Sequence, residues 1–341
     1  MADAYVAIEG DRVIEARARA PGTARGELVF TTAYTGYEES LTDPSYEEQV
    51  LTFSYPLIGN YGVREERFES DRVHPRAAVA REMTDDVAEW LESEGVPAVD
   101  HLDTRDIVTE IRDEGAMKCG IAAGPDVTEQ DALDELHECK HMSDHTDIGA
   151  QVSVDDVEVH NEGGDGATVA LVDCGAKLHR RVARRTRRRG LRLPIRRQRG
   201  RRGRGRPGSA VHLERPRRPR ELRAGRGTRR DLRRDVPLAG ICLGQQVVAN
   251  ALGGETEKME FGHRGVNQPV RDLRSNQVVM TTQNHGYTVA DPGDKLDVTQ
   301  VNVNDDTPEG WKTTTWTSSR VSTTPRPTPA RTTRSASLMM C

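Results

Sequence analysis

Lysine is scarce in this chain: six residues against 43 arginines in a total of 341. Aromatic residues make up only 4%. Five cysteines are present, Cys119, Cys139, Cys174, Cys242 and Cys341, widely spaced, odd in number and without a CxxC pair. That pattern argues against a disulfide scaffold and for a reducing cytoplasm. No apolar run approaches the ~20 residues of a membrane span, and the first residues lack the basic-then-apolar pattern of a secretory leader. We therefore expect no membrane segment. His137, Cys139, His141 and His145 lie close together, but no second ligand cluster completes a metal site, so they read as scattered polar residues of a connection and no metal is expected. The length allows about two domains of ordinary size.

The formal charge of −5 averages two unlike kinds of sequence. Residues 178–234 hold 25 arginines, no lysine, three acids (Glu214, Glu221, Asp231) and no aromatic residue. The rest carries 24 basic and 51 acidic side chains, a net charge of −27. So acidic and lysine-poor a remainder suits a protein kept soluble by its own charge, as in a salt-loving cell. The composition changes again from Trp311: 14 of the last 31 residues are Ser or Thr and none is acidic.

Local patterns give a first outline. GELVFTT (26–32) and EQVLTFSY (48–55) are rich in β-branched and aromatic residues and bounded by turn signals, and so predict strands. Residues 84–94 and 103–114 carry apolar side chains at helical spacing, each opening on a residue suited to an N-cap. NEGGDG (161–166) reads as a linker or loop. TVALVDCG (168–175) is a mostly apolar run ending in Gly, as a buried parallel strand would be. VPLAGI (236–241) predicts a strand, and GQQVVANALGG (244–254) a helix with a Gly C-cap. Residues 277–290 predict a strand, a loop and a second strand.

The sharpest feature is GICLGQQ, residues 240–246. A cysteine between glycines, where a buried strand turns into a helix, has the logic of a nucleophile elbow. The turn lifts the sulfur out of the sheet, and the helix N-terminus favours thiolate and aims N–H groups at a developing oxyanion. Alone, a strand-end cysteine is more often an inert buried residue; its surroundings decide the matter.

GICLGQQ, KMEFGHRGVNQPV (258–270) and TTQNHGYTV (281–289) together resemble a class I glutamine amidotransferase. The earlier residues narrow this. GELVFTTAYTGYEESLTDPSYEEQVLTFSYPLIGNYGV (26–63), LDTRDIVTEIRDEGAMKCGI (102–121) and SDHTDIGAQVSV (143–154) are similar to the N-terminal domain of carbamoyl-phosphate synthase small subunits. The resemblance covers most of residues 1–177 and 235–310. It implies an α/β protein: a β-rich α+β domain at 1–156, a linker at 157–167 and an open, mostly parallel amidotransferase domain at 168–341. It also implies that Cys242 attacks the side-chain amide of glutamine and passes through a thioester. Leu243, Gln246, Asn284, Gly286 and Tyr287 would hold the substrate, with Ser45 of TDPSY from the first domain. Spacing alone would make Ser45 a turn or cap residue after Pro44. Ammonia would pass to a large partner subunit that uses ATP and Mg to make carbamoyl phosphate, feeding pyrimidine and arginine synthesis. No cofactor is expected in this chain. It has no Walker-type loop, and its GxGxxG string at 203–208 sits in the arginine block without strand or helix.

Two stretches depart from the family. After VDCGAK the family continues to a loop of the type SNGPGDP, where this chain has the arginine block. Near its end the family has HPE, whose His is the general base, and this chain has none. The genetic code links the two. HLERPRRP (212–219), written CAT CTC GAA CGG CCC CGG CGA CCC, spells ISNGPGD one nucleotide later. STTPRPTP (322–329), written AGT ACC ACC CCG AGG CCA ACC CCC, contains YHPEAN in the third frame. Residues 178–234 and 311–341 are thus read as non-native, out-of-frame sequence, leaving the domain incomplete and the chain without its base. Two other readings differ in kind. A non-catalytic subunit that only docks the large chain is compatible with the loss of HPE. An RNA-binding derivative would use GRRGRGRPG (200–208). Such arms usually include lysine or aromatic residues and sit at a terminus or linker, so nucleic acid is not the expected partner.

Overall fold

The computed structural model describes residues 3–145, 148–162, 169–177, 190–194, 240–313 and 326–327. The chain divides into two compact units. One comprises Met1–Ile148 and Glu260–Gly265, the other Gly149–Met259 and Val266–Cys341.

The strands of the first unit are β1 (Ala4–Ile8), β2 (Arg12–Ala20), β3 (Gly22–Thr31), β4 (Gln49–Phe53), β5 (Leu57–Ile58), β6 (Ala77–Val79), β7 (Glu82–Met83), β8 (Ala98–Asp100) and β9 (Met117–Ala123). Its helices are α1 (Tyr37–Leu41), α2 (Asp85–Ser93), α3 (Thr104–Glu114) and α4 (Glu129–Glu138). Seven strands close into a barrel in the order β1-β2-β8-β6-β4-β3-β9, and β9 returns to pair with β1. Period-two alternation fills it. Val6, Leu28, Val50, Val79, Val99, Cys119 and Ile121 belong to one buried cluster, joined by Ile107 and Ile111 of α3. The opposite faces of β1 and β9 present Ala7 and Ala122 to Ala132 and Leu136 of α4. Gly120 permits that approach, since a Cβ there would overlap the Ala132 carbonyl and the Leu136 amide.

Both predicted helices form here, with one correction. Asp103 caps α3 by accepting from the Arg105 and Asp106 amides at 3.0 and 3.3 Å. Thr84 stands at the N-cap position of α2 but its side chain makes no cap bond. It packs against Gly59 instead, where a Cβ would collide with its hydroxyl oxygen.

Residues Glu260–Gly265 complete this unit although they lie in a much later strand. The Glu260 carbonyl accepts from the Ala116 amide at 3.0 Å, and Phe261 packs on the barrel cluster. Arg264 is buried, and desolvation pushes its guanidinium below the ordinary value against the pull of Glu27, 3.9 Å away. Gln49 donates to the same Glu27 carboxylate at 2.9 Å.

A four-residue helix, α5 (Ile148–Gln151), leads into the second unit, which contains β10 (Glu158–His160), β11 (Val169–Asp173), β12 (Gly190–Pro194), α6 (Leu243–Leu252), β13 (Glu255–Asp272), β14 (Val278–Asp291), β15 (Leu296–Asn302), β16 (Pro308–Thr313) and β17 (Arg326–Pro327). β11 forms as a strand and pairs in parallel with β12, and β10 adds antiparallel to β12. A second sheet runs β16-β15-β13-β14-β17. The expected α/β class holds, and the closed barrel is a feature the patterns did not announce. Val248 and Ala249 of α6 pack on Val289, Leu296 and Trp311 of the second sheet.

Two further expectations change. The strand predicted at 236–241 lies outside the described residues except for Gly240 and Ile241, which are not strand. Where strand, loop and strand are expected over 277–290, one continuous strand runs Val278–Asp291. Asn284–Gly286 are part of that strand, which pairs with β17 at Thr281 and Thr282. Among the described residues no helix is long and apolar enough to cross a membrane.

Candidate nucleophile site

The backbone of Cys242 has φ 50° and ψ −116°, a conformation sparsely populated by residues with a side chain. The local sequence enforces it. The Gly244 amide donates to the Ile241 carbonyl at 2.8 Å, and the Gln245 amide donates to the Cys242 carbonyl at 3.1 Å, so the chain enters α6 through a tight turn. Gly240 must be glycine, because a Cβ would lie 2.5 Å from the Gly244 carbonyl oxygen and 2.6 Å from the Gln245 amide nitrogen. At the other end Gly253 closes α6 in the left-handed region at φ 107°, the expected Gly cap. Strain, glycine clearance and helix N-terminus therefore meet at one sulfur.

The other described cysteines differ from it. Cys119, Cys139 and Cys174 are buried, and only Cys242 among the described residues is half-exposed. Burial pushes the Cys119 and Cys139 thiols up, away from thiolate.

α6, which begins directly after Cys242, and β14 bring two predicted residues, Gln246 and Tyr287, together. Leu243 is fully buried and packs with Val172 and Cys174 of the parallel sheet. Gln246, 1% exposed, donates through Nε2 to the Tyr287 carbonyl at 2.7 Å, tying the helix to the QNHGY strand. Its buried Oε1 has no hydrogen-bond partner among the described residues. An orphan amide oxygen at such a place costs about 1–3 kcal/mol unless something polar satisfies it. Asn284 and Gly286 are half-buried and Tyr287 is buried on the same strand. Gln245, which the sequence did not single out, accepts from Trp311 Nε1 at 2.8 Å. Ser45 belongs to the first unit. It lies in the turn Pro44–Tyr46, is 5% exposed, and its amide donates to Asp43 Oδ1 at 2.7 Å.

Sequence reasoning also passed over the pairing of His285 with Glu309, whose nearest atoms are 3.5 Å apart. His285 faces the Tyr287 carbonyl through Nδ1 at 3.0 Å and Gln283 Oε1 through Nε2 at 3.2 Å, so both nitrogens are occupied by acceptors of its own sheet. Of the histidines near Cys139, His137 Nε2 lies 2.7 Å from Asp11 and His145 is 3.9 Å from Glu48.

The half of the chain that holds the strained cysteine belongs to a known class of domain: residues 170–317 match the family described as glutamine amidotransferase class-I. Residues 6–121 match the carbamoyl-phosphate synthase small chain, CPSase domain. The chain is 62% identical over 315 residues to the carbamoyl phosphate synthase small chain of Halobacterium salinarum, covering 91% of this chain and 87% of that one. To the small chain of Methanocaldococcus jannaschii it is 37% identical, covering 84% and 82%. The Archaeoglobus fulgidus small chain is likewise 37% identical, with 90% and 88% covered. The chain belongs to the carbamoyl phosphate synthase small chain family and carries its glutamine amidotransferase domain.

Proposed function

We propose that Cys242 is the nucleophile of a glutaminase reaction and that the chain as written performs it poorly or not at all. The observation that carries the first half is the φ 50°, ψ −116° backbone of Cys242 at the start of α6. The sulfur adds to the amide carbon of glutamine, ammonia leaves with a proton, and water hydrolyses the glutamyl thioester to glutamate and free thiol. Leu243, Gln246, Asn284, Gly286 and Tyr287 hold glutamine, and Ser45 contributes from the N-terminal domain, residues 1–156. The orphan Gln246 Oε1 is an acceptor placed for a substrate N–H. Ammonia then goes to a large synthetase subunit in the cytoplasm, whose ATP and Mg complete carbamoyl phosphate for pyrimidine and arginine synthesis. The acidic, lysine-poor composition fits a halophilic source.

The second half rests on residues 178–234 and 311–341, where SNGPGDP and HPE are missing. Both stretches are out-of-frame readings of an ordinary gene. Without HPE the chain lacks the histidine that in the family serves as base for the thiol and as acid for departing ammonia, a loss worth orders of magnitude in rate. A chloroketone analogue of glutamine tests the nucleophile. Peptide mapping is expected to find the adduct on Cys242, and labelling confined to other cysteines would refute the assignment. A non-catalytic docking subunit is the second reading, favoured by a first unit whose barrel is closed and whose core is filled. It predicts large-subunit binding by a chain with no glutamine turnover.

A further inference from the structure

Behind the turn that carries Ser45 lies a buried polar network that the reaction does not use. Its centre is His74, 5% exposed. His74 Nδ1 lies 2.6 Å from Glu47 Oε2, and Nε2 lies 2.8 Å from Ser70 Oγ. The positions resemble a serine–histidine–carboxylate triad, but counting protons excludes that reading. Ser70 Oγ also lies 2.7 Å from the Thr42 carbonyl and 3.1 Å from the Arg72 carbonyl. Carbonyls only accept, so the one hydroxyl proton points at them, and the contact with His74 must be filled by a proton on Nε2. Glu47 Oε2 already accepts from Arg72 Nη2 at 2.7 Å, as an ionised carboxylate does, so Nδ1 must donate as well.

We propose that His74 carries a proton on both ring nitrogens and, as an imidazolium, clamps both ends of the Asp43–Tyr46 turn, making it a positioning residue for Ser45. Segment 69–74 is the strap. Its first residue donates from the Glu69 amide to Thr42 Oγ1 at 2.8 Å, and its last from the His74 amide to the Leu41 carbonyl at 2.9 Å. Ser70 closes on the Thr42 carbonyl, before the turn, while His74 and Arg72 close on Glu47, after it. Between these anchors the Tyr46 amide donates to the Asp43 carbonyl at 3.0 Å and the Ser45 amide to the Asp43 carboxylate. A neutral imidazole donating from Nδ1 to Glu47 would have to draw the Ser70 proton to Nε2, and the Thr42 carbonyl would lose its donor. That this matters for glutamine rests on the reading of Ser45 given above; the protonation and the clamp do not.

The test uses the full chain labelled with 15N-histidine, the His74 signal being assigned by its loss in His74→Gln. At pH 7 the expected spectrum shows both His74 nitrogens protonated. Hydrogen exchange of peptides covering Ser45 and Tyr46 is expected to accelerate by about tenfold in His74→Gln, which supplies donors at one anchor only. Ser70→Ala, which keeps the Glu47 pair, should produce a smaller acceleration. A neutral His74 at pH 7, or exchange unchanged in both variants, would overturn the clamp. Neither readout involves glutamine, so a failure of the Ser45 reading leaves them standing, and their failure leaves that reading standing.

Discussion

In the first unit every barrel strand comes from residues 4–123, and the outside help, Glu260–Gly265, arrives as one short segment. In the second unit β11 and α6 lie on either side of the stretch 178–234 that departs from the family, and β12 lies within it. The contrast separates two kinds of structure. A nucleophile elbow is local: Gly240, Gly244 and the helix that follows impose it from within fifteen residues. An active site is not local, because its oxyanion loop, base and substrate contacts come from distant strand ends. On the function proposed above, out-of-frame sequence would leave the strained cysteine in place while removing what would make it turn over.

Substitutions can break this comparison. The largest effect is expected from Cys242→Ser in a chain rebuilt with both reading frames restored, where glutamine turnover should fall about 10³-fold or more. A residual rate near that of the parent would remove Cys242 from the mechanism. Ile107→Ala empties part of the barrel interior and should destabilise the first unit by about 2–5 kcal/mol. Calorimetry should show that transition move alone, and an equal shift of both transitions would contradict two units. Gly240→Ala forces a Cβ onto the Gly244 carbonyl and should cost the second unit about 1–3 kcal/mol, with slower chloroketone labelling of Cys242.

The smallest effect concerns pH. The amides of Ser275 and Arg274, with their side chains, hold the Asp272 carboxyl below its usual value in the β13–β14 turn. A group whose folded value is depressed stabilises above its unfolded value, ~3.9 for Asp, and loses that contribution as pH falls. Asp272→Asn should therefore flatten the acid side of the stability profile slightly, and an unchanged profile would show the turn to be held otherwise.

Much of this was legible in the sequence where a pattern is local. The Ile107/Ile111 spacing, the Asp103 cap, the Gly253 stop and the glycines around Cys242 each act within a few residues, and each appears in the fold. Closure of the barrel was not legible, since pairing β1 with β9 joins residues more than a hundred apart. Nor was the continuity of β14, because Asn-His-Gly taken alone looks like a loop and its place in the second sheet is set by residues distant in the chain. Thr84 misled for a similar reason: its side chain packs against Gly59, a distant neighbour, and makes no cap bond. The His74 network was missed because its members are ordinary polar residues until folding buries them together.

The account stands most directly on ammonia release from glutamine, measured on the purified 341-residue chain with its mass verified, beside the chain rebuilt in the restored frames. It predicts turnover by the rebuilt chain, abolished by Cys242→Ser, and none above background by the chain as written. Sustained, Cys242-dependent turnover by the chain as written would contradict it, for residues 178–234 and 311–341 would then be working parts of the enzyme.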